Sequence, residues 1–195
     1  SDIILIGGGG HCKSVIDVIE QEGQFKIAGI VDKPEFLGFD ILGYSVIGND
    51  SDLGILVKKY KYALVTVGQI KSPLLRMKLF ELAKKSGFIL PNIISPRAYI
   101  SKYTTVGKGT IIMHDVLINA DAKIGENCII NSKALIEHDC SISNHCHIST
   151  SATINGGVIV KSGSFIGSGV TTKESIIIGK NSYFSFVDED RMPTN

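Results

Sequence analysis

The sequence predicts an α/β chain in two parts. A small parallel sheet of Rossmann type occupies residues 1–92, and a parallel β-helix of hexapeptide repeats occupies 93–195. Three observations predict this. Every sixth residue from Ile94 is a β-branched aliphatic: Ile94, Ile100, Val106, Ile112, Ile118, Ile124, Ile130, Ile136, Ile142, Ile148, Ile154, Val160 and Ile166. The residue two places before each is small or modest, as in Ala98, Thr104, Ala122, Cys128, Ala134, Cys140 and Cys146. Before residue 92, apolar runs alternate with segments of helical spacing. A period of six fits neither a helix, at about 3.6, nor a strand, at about 2. It fits a β-helix in which each hexad forms one flat side and three hexads close a triangular coil. The aliphatic points inward and the small residue sits where the chain turns a corner.

In the first part, IILI (3–6) reads as a buried parallel strand. The turn Gly7 to Gly10 follows, and then a helix from about Val15 that stops at Gly23. KIAGIVD (26–32) is a second strand ending in Asp32. Residues 33–50, punctuated by Pro34, Gly38, Gly43 and Gly48, read as loop. Ser51 or Asp52 caps a short helix to about Tyr60, and YALVTVG (62–68) is a third strand. Ser72 and Pro73 read as an N-cap and first helical residue, opening a helix to Ser86 that ends at Gly87. FILPNII (88–94) extends toward the first hexad, and the hexads run for roughly four coils and falter at Thr172. Ile178 restores the period once, and the tail from Ser182 has no hexads.

At 195 residues, with hydrophobics at 44%, the chain can bury an ample core. A net charge of +1 without a long basic run argues against nucleic acid as partner. No apolar stretch reaches the ~18 residues of a membrane span, no secretory leader is read, and a cytoplasmic location is the expectation. Cys128, Cys140 and Cys146 fall on the small register, where free Cys serves as a small hydrophobe. No metal is expected.

Two places carry chemistry. A strand, four glycines and a helix N-terminus make an anion site, because free N–H groups and the helix dipole face the same spot. Asp32 lies where an acid can take a ribose hydroxyl. The dinucleotide fingerprint fails at its third glycine, where Cys12 stands, and the sheet is small, so a nucleotide diphosphate with one ribose fits better than NAD. A tight turn that serves packing alone remains the alternative. The second place is the coil bearing Asn131, Glu137, His138, Asp139, His145 and His147. His138, two places after inward Ile136, faces out, and His147, directly before Ile148, also lies outside the core. Gly156, one coil on from His138, leaves a notch beside the imidazole. His114 and His145 read as solvated polar edges.

These motifs resemble those of bacterial hexapeptide-repeat sugar acetyltransferases with a Rossmann-like N-terminal domain, built on a left-handed β-helix. The resemblance rests on ILIGGGGH (4–11), the VD ending of the second strand (31–32) and INADAKIGENCIINSKALIEHDCSI (118–142). It implies acetyl-CoA as co-substrate, a nucleotide-sugar acceptor for bacterial glycan biosynthesis, and a homotrimer with sites between subunits. His138 becomes the general base with Asp139 assisting, which leans toward N-acetylation of a nucleotide-linked 4-amino sugar. Asn131 lies at the acceptor site, His147, Gly156 and Gly167 flank acetyl-CoA, and Gly9, Gly10, His11 and Asp32 hold the nucleotide. The tail FVDEDRMPTN departs from the family's usual loop over the coenzyme. O-acetylation of a sialic-acid-like sugar and a non-catalytic nucleotide-sugar sensor stay open as alternatives.

Overall fold

The computed structural model describes residues 1–185. The N-terminal part contains β1 (Asp2–Ile6), α1 (Gly10–Glu22), β2 (Lys26–Val31), β3 (Asp40–Ile41), β4 (Tyr44–Gly48), α2 (Leu53–Leu56), β5 (Tyr62–Val65) and α3 (Leu74–Ser86). Its sheet runs β3-β4-β2-β1-β5, parallel except for the β3–β4 pair. β1 lies inside the sheet, between β2 and β5, and is buried on both faces, which is why its apolar run is unbroken. Ile3 and Leu5 pack toward α1, and Ile4 and Ile6 toward α3.

Three local expectations are corrected here. The helix after the glycine turn starts at Gly10, so His11 and Cys12 lie in its first turn. Residues 33–50 are not all loop: Asp40–Gly48 forms an edge hairpin, with Gly43 at φ 87 in the turn and its N–H donating to Asp40 Oδ1 at 2.8 Å. Its strands are two and five residues long, too short to show alternation between glycines. Pro73 takes the N-cap place of α3, and Ser72 Oγ accepts from Leu74 N–H at 3.3 Å.

The second part is a left-handed parallel β-helix of two-residue strands on three faces. One face stacks 93–94, 111–112, 129–130, 147–148, 165–166 and 183–184. Every register within the coils steps by one coil, as in Ile112–Ile130–Ile148. The inward aliphatics and the small residues two places before them form one core. Cys128, Cys140 and Cys146 are buried there as free thiols. Each corner from Gly109 to Asn181 holds one residue of positive φ, always three places after the inward residue of the hexad. Asp, Asn, Ser and Gly fill most of these positions, the residues that tolerate the left-handed region best.

The ladder also runs further than expected. Thr172 is buried in line with the aliphatics, and Tyr183–Phe184 pairs with Phe165–Ile166, so 182–185 continues the helix rather than forming a tail without hexads. The segment FVDEDRMPTN (186–195) lies outside the described residues.

The N-terminal part covers the face that begins at Ile93. Ile93, Ile111 and Met113 share a core with α1. Arg76 of α3 is fully buried at this seam, donating from Nη1 to the carbonyls of Val65 and Val67 at 2.7 and 2.8 Å and from Nε to Asn127 O at 3.3 Å. His114 is not a solvated edge. It bridges Ser95 Oγ at 2.6 Å and Asp17 of α1 at 2.7 Å.

Candidate active site

At each corner the chain turns from one face of the prism to the next, and one corner presents His138 and Asp139 together. Asp139 takes the left-handed corner conformation, φ 61, which swings its carboxylate back to the preceding ring. Oδ2 lies 2.6 Å from His138 Nδ1. Asp139 accepts from Nδ1–H, so Nε2 carries the lone pair. A Cβ built on Gly156 would meet His138 Cε1 at 2.8 Å and Nε2 at 2.9 Å. Nε2 therefore looks over the bare backbone of Gly156 into an open notch of about 660 Å³, also lined by Glu137, Asn155, Gly157, Glu174 and Ser175. The hydrogen bond and charge of Asp139 raise the His138 pKa above its ordinary value. A base must be neutral to accept a proton, so a rate limb set by this group would rise with pH through that raised pKa. Replacing Asp139 with Asn is expected to move the limb of kcat to lower pH and to slow turnover, checked by pH–rate profiles of both proteins.

Asn131 and His147 belong to the same coil but not to this corner. His147 is outside the prism, as expected, yet it is only 6% exposed because the N-terminal part covers its face. Its Nδ1 donates to the carbonyl of Gln69, which leaves Nε2 to accept from Asn131 Nδ2 at 3.3 Å. Asn131 Oδ1 accepts from Ser132 N–H at 2.8 Å, so both ends of the amide are fixed. Burial pushes the His147 pKa down to about 4, with a further lowering by Arg76. Gly167 lies in the column of Asn131, two coils on, under Phe184 and Ser185. His145 also departs from a solvated edge: its ring stacks edge-on to Phe80 at 5.8 Å and meets Asn127 Nδ2 at 3.0 Å, and its carbonyl accepts from Gln69 Nε2.

The glycine turn forms a third cluster. Gly8 N–H donates to Asp32 Oδ2 at 2.6 Å, and Lys33 N–H to Oδ1 at 2.7 Å. A Cβ at Gly8 would strike Ile41 and Asp32, whereas at Gly9 and Gly10 it would meet nothing within 4 Å. α1 has no side-chain cap and no acidic residue in its first turn, so no side chain competes with an anion for its leading N–H groups. His11 is pushed down to about 3 by burial, then by Arg76 and His147, so it is a neutral ring and not a cation for phosphate. A cation near the turn is Lys13, which lines a groove of about 360 Å³ with Gly9, Asp32, Phe36 and Phe39. The sequence reading missed Lys13, although its place in the first turn of the helix was the available signal. Cys12 is buried against the sheet.

Residues 2–82 match the family model of the PglD N-terminal domain, and residues 103–138 match the bacterial transferase hexapeptide model of six repeats. No curated protein matches the chain. Among solved structures, a histidine-to-alanine mutant of GDP-perosamine N-acetyl transferase from Caulobacter crescentus, in complex with CoA and GDP-perosamine, is 29% identical over 91% of each chain, with a TM-score of 0.79. The acetyltransferase domain of PglB from Neisseria gonorrhoeae, in complex with acetyl coenzyme A, is 28% identical over 92% of this chain and 85% of that one, with a TM-score of 0.85. WeeI from Acinetobacter baumannii, at 20% identity and a TM-score of 0.69, shares the fold. A match to the PglD N-terminal domain followed by one to transferase hexapeptide repeats, on this fold and in this order, makes the chain an acetyltransferase built on hexapeptide repeats.

Proposed function

We propose that the chain acetylates the amino group of a nucleotide-linked 4-amino sugar, using acetyl-CoA and His138 as general base. The observation that carries this reading is His138 itself: oriented by Asp139 through Nδ1, it turns Nε2 over a glycine floor that offers no side chain to obstruct a substrate. The similar structures in complex with CoA, acetyl coenzyme A and GDP-perosamine support the two substrates. The thioester supplies an acetyl group already activated for attack. As the amine nitrogen bonds to the carbonyl carbon, His138 Nε2 takes one of its protons, the carbon–sulfur bond breaks, and the imidazolium returns the proton to the departing thiolate. Asp139 stabilises the imidazolium meanwhile. The free α1 N–H groups, Gly9, Gly10 and Lys13 suit the nucleotide's phosphates, and Asp32 its ribose.

The His138–Gly156 corner and the Asn131–Gly167 corner are separate on one prism. A homotrimer that sets the first corner of one subunit against the second corner of its neighbour would unite them, in a closed ring of the kind heterologous contacts make. The division at 92/93 then separates an acceptor-holding unit from a transfer unit.

The test is an acceptor panel. Purified protein is incubated with acetyl-CoA and UDP- and GDP-linked 4-amino sugars, sialic acids or CMP-sialic acids, and the products are identified by mass and NMR. Amide formation on a nucleotide-linked amine is expected, whereas ester formation on a sialic acid would replace this reading.

A further inference from the structure

Three carboxylates surround the notch: Glu137, Asp139 and Glu174. Two are already engaged. Asp139 holds His138, and Glu137 accepts from Asn119 Nδ2 at 2.9 Å. Glu174 makes no hydrogen bond or ion pair with any described residue, and it is exposed. Its position is set by the coils. Gly157 N–H donates to His138 O at 3.0 Å, and Ser175 N–H to Gly156 O at 2.9 Å, so 138, 156 and 174 form one column. Two coil steps of ~4.8 Å place the backbones of His138 and Glu174 about 10 Å apart, with only glycine between them. The notch is thus walled by a base on one side and an uncommitted carboxylate on the other. Lys173 does not line it, and no Lys or Arg does.

Charge decides what such a carboxylate is for. The phosphates of CoA are anions and gain nothing from a third acid in the notch. A hydroxyl acceptor is neutral and needs no counter-charge. An aliphatic amine, titrating at about pH 8 to 10, arrives largely as ammonium. We propose that Glu174 is the specificity-determining residue for the acceptor: it binds the amine as ammonium across from His138, so the site takes an amino sugar in preference to the same sugar bearing a hydroxyl. The bound ammonium releases one proton to solvent, and the neutral amine that remains then reacts. This rests on the reading under Proposed function, but it makes a claim about binding that needs no turnover.

The experiment is isothermal calorimetry on the intact protein and on Glu174→Gln, which keeps shape and removes charge. The ligands are a nucleotide-linked 4-amino sugar and its 4-hydroxy counterpart, at neutral pH in low and high salt. Wild type is expected to favour the amine by about tenfold or more, as for a hydrogen bond to a charged group. The preference is expected to shrink in salt. Glu174→Gln is expected to lose it, with affinity for the hydroxy sugar unchanged. In turnover the variant is expected to raise KM for the amine and leave both kcat and KM for acetyl-CoA near wild type, with Glu174→Asp recovering part of the loss. An equal preference in wild type, or a preference surviving in Glu174→Gln, overturns the proposal. A wild type that discriminates between the sugars yet acetylates no amine overturns the proposed reaction and leaves the charge selection standing. No binding of either sugar overturns both.

Discussion

Replacing His138 with alanine is expected to lower acetyl transfer at saturating substrates by about two to four powers of ten, the usual contribution of a positioned general base. The ring stands outside the prism with its side chain 62% exposed, so its loss leaves no cavity in the core. Thermal unfolding and affinity for acetyl-CoA are therefore expected to stay near wild type while kcat falls. That combination separates a lost base from a lost fold. Asn131 and His147 do not compensate, because neither touches the notch and His147 Nε2 is already an acceptor for Asn131.

Replacing Gly156 with alanine is the second large effect. The added methyl would lie 2.8 Å from Cε1 and 2.9 Å from Nε2 of His138, closer than carbon and nitrogen can approach. Gly156 itself has an ordinary φ, so the backbone accepts alanine, and the clash is relieved by moving the exposed imidazole off the floor of the notch. A displacement of about 1 Å at a reacting group costs on the order of a hundredfold. Steady-state kinetics with a melting curve checks this: kcat is expected to fall by about that factor with the melting temperature held. Gly157 differs, since at φ 70 a side chain is strained whatever the space. Its substitution is expected to act on stability.

The fold was legible because the hexad rule is local. Ile136 points inward for the same reason as Ile118 and Ile154, and the small thiols of Cys128, Cys140 and Cys146 follow from the register alone. A second local signal is the Asp, Asn, Ser or Gly three places after most of the aliphatics. It fixes the corner that aims Asp139 at His138. What could not be read from the period is which face the N-terminal part covers. That depends on docking between distant segments, and it turned His114, His145 and His147 into seam residues. A trace exists even so: the outward neighbours Ile93, Ile111 and Ile129 are all apolar, which marks this face as covered. Asn131 and His138 are only seven residues apart and share one coil, but a coil has three corners and seven residues reach the next one. Glu174 escaped because the ladder falters at Thr172, just where the coil that carries it begins.

The pH profile of kcat, measured side by side for wild type and His138→Ala with acetyl-CoA and a nucleotide-linked 4-amino sugar, bears most directly on the role of His138. Wild type is expected to show a limb that rises with pH through the elevated His138 pKa, and the variant a far lower rate from which that limb is gone. A variant that keeps both the limb and a rate within a few-fold of wild type would show that another group is the base.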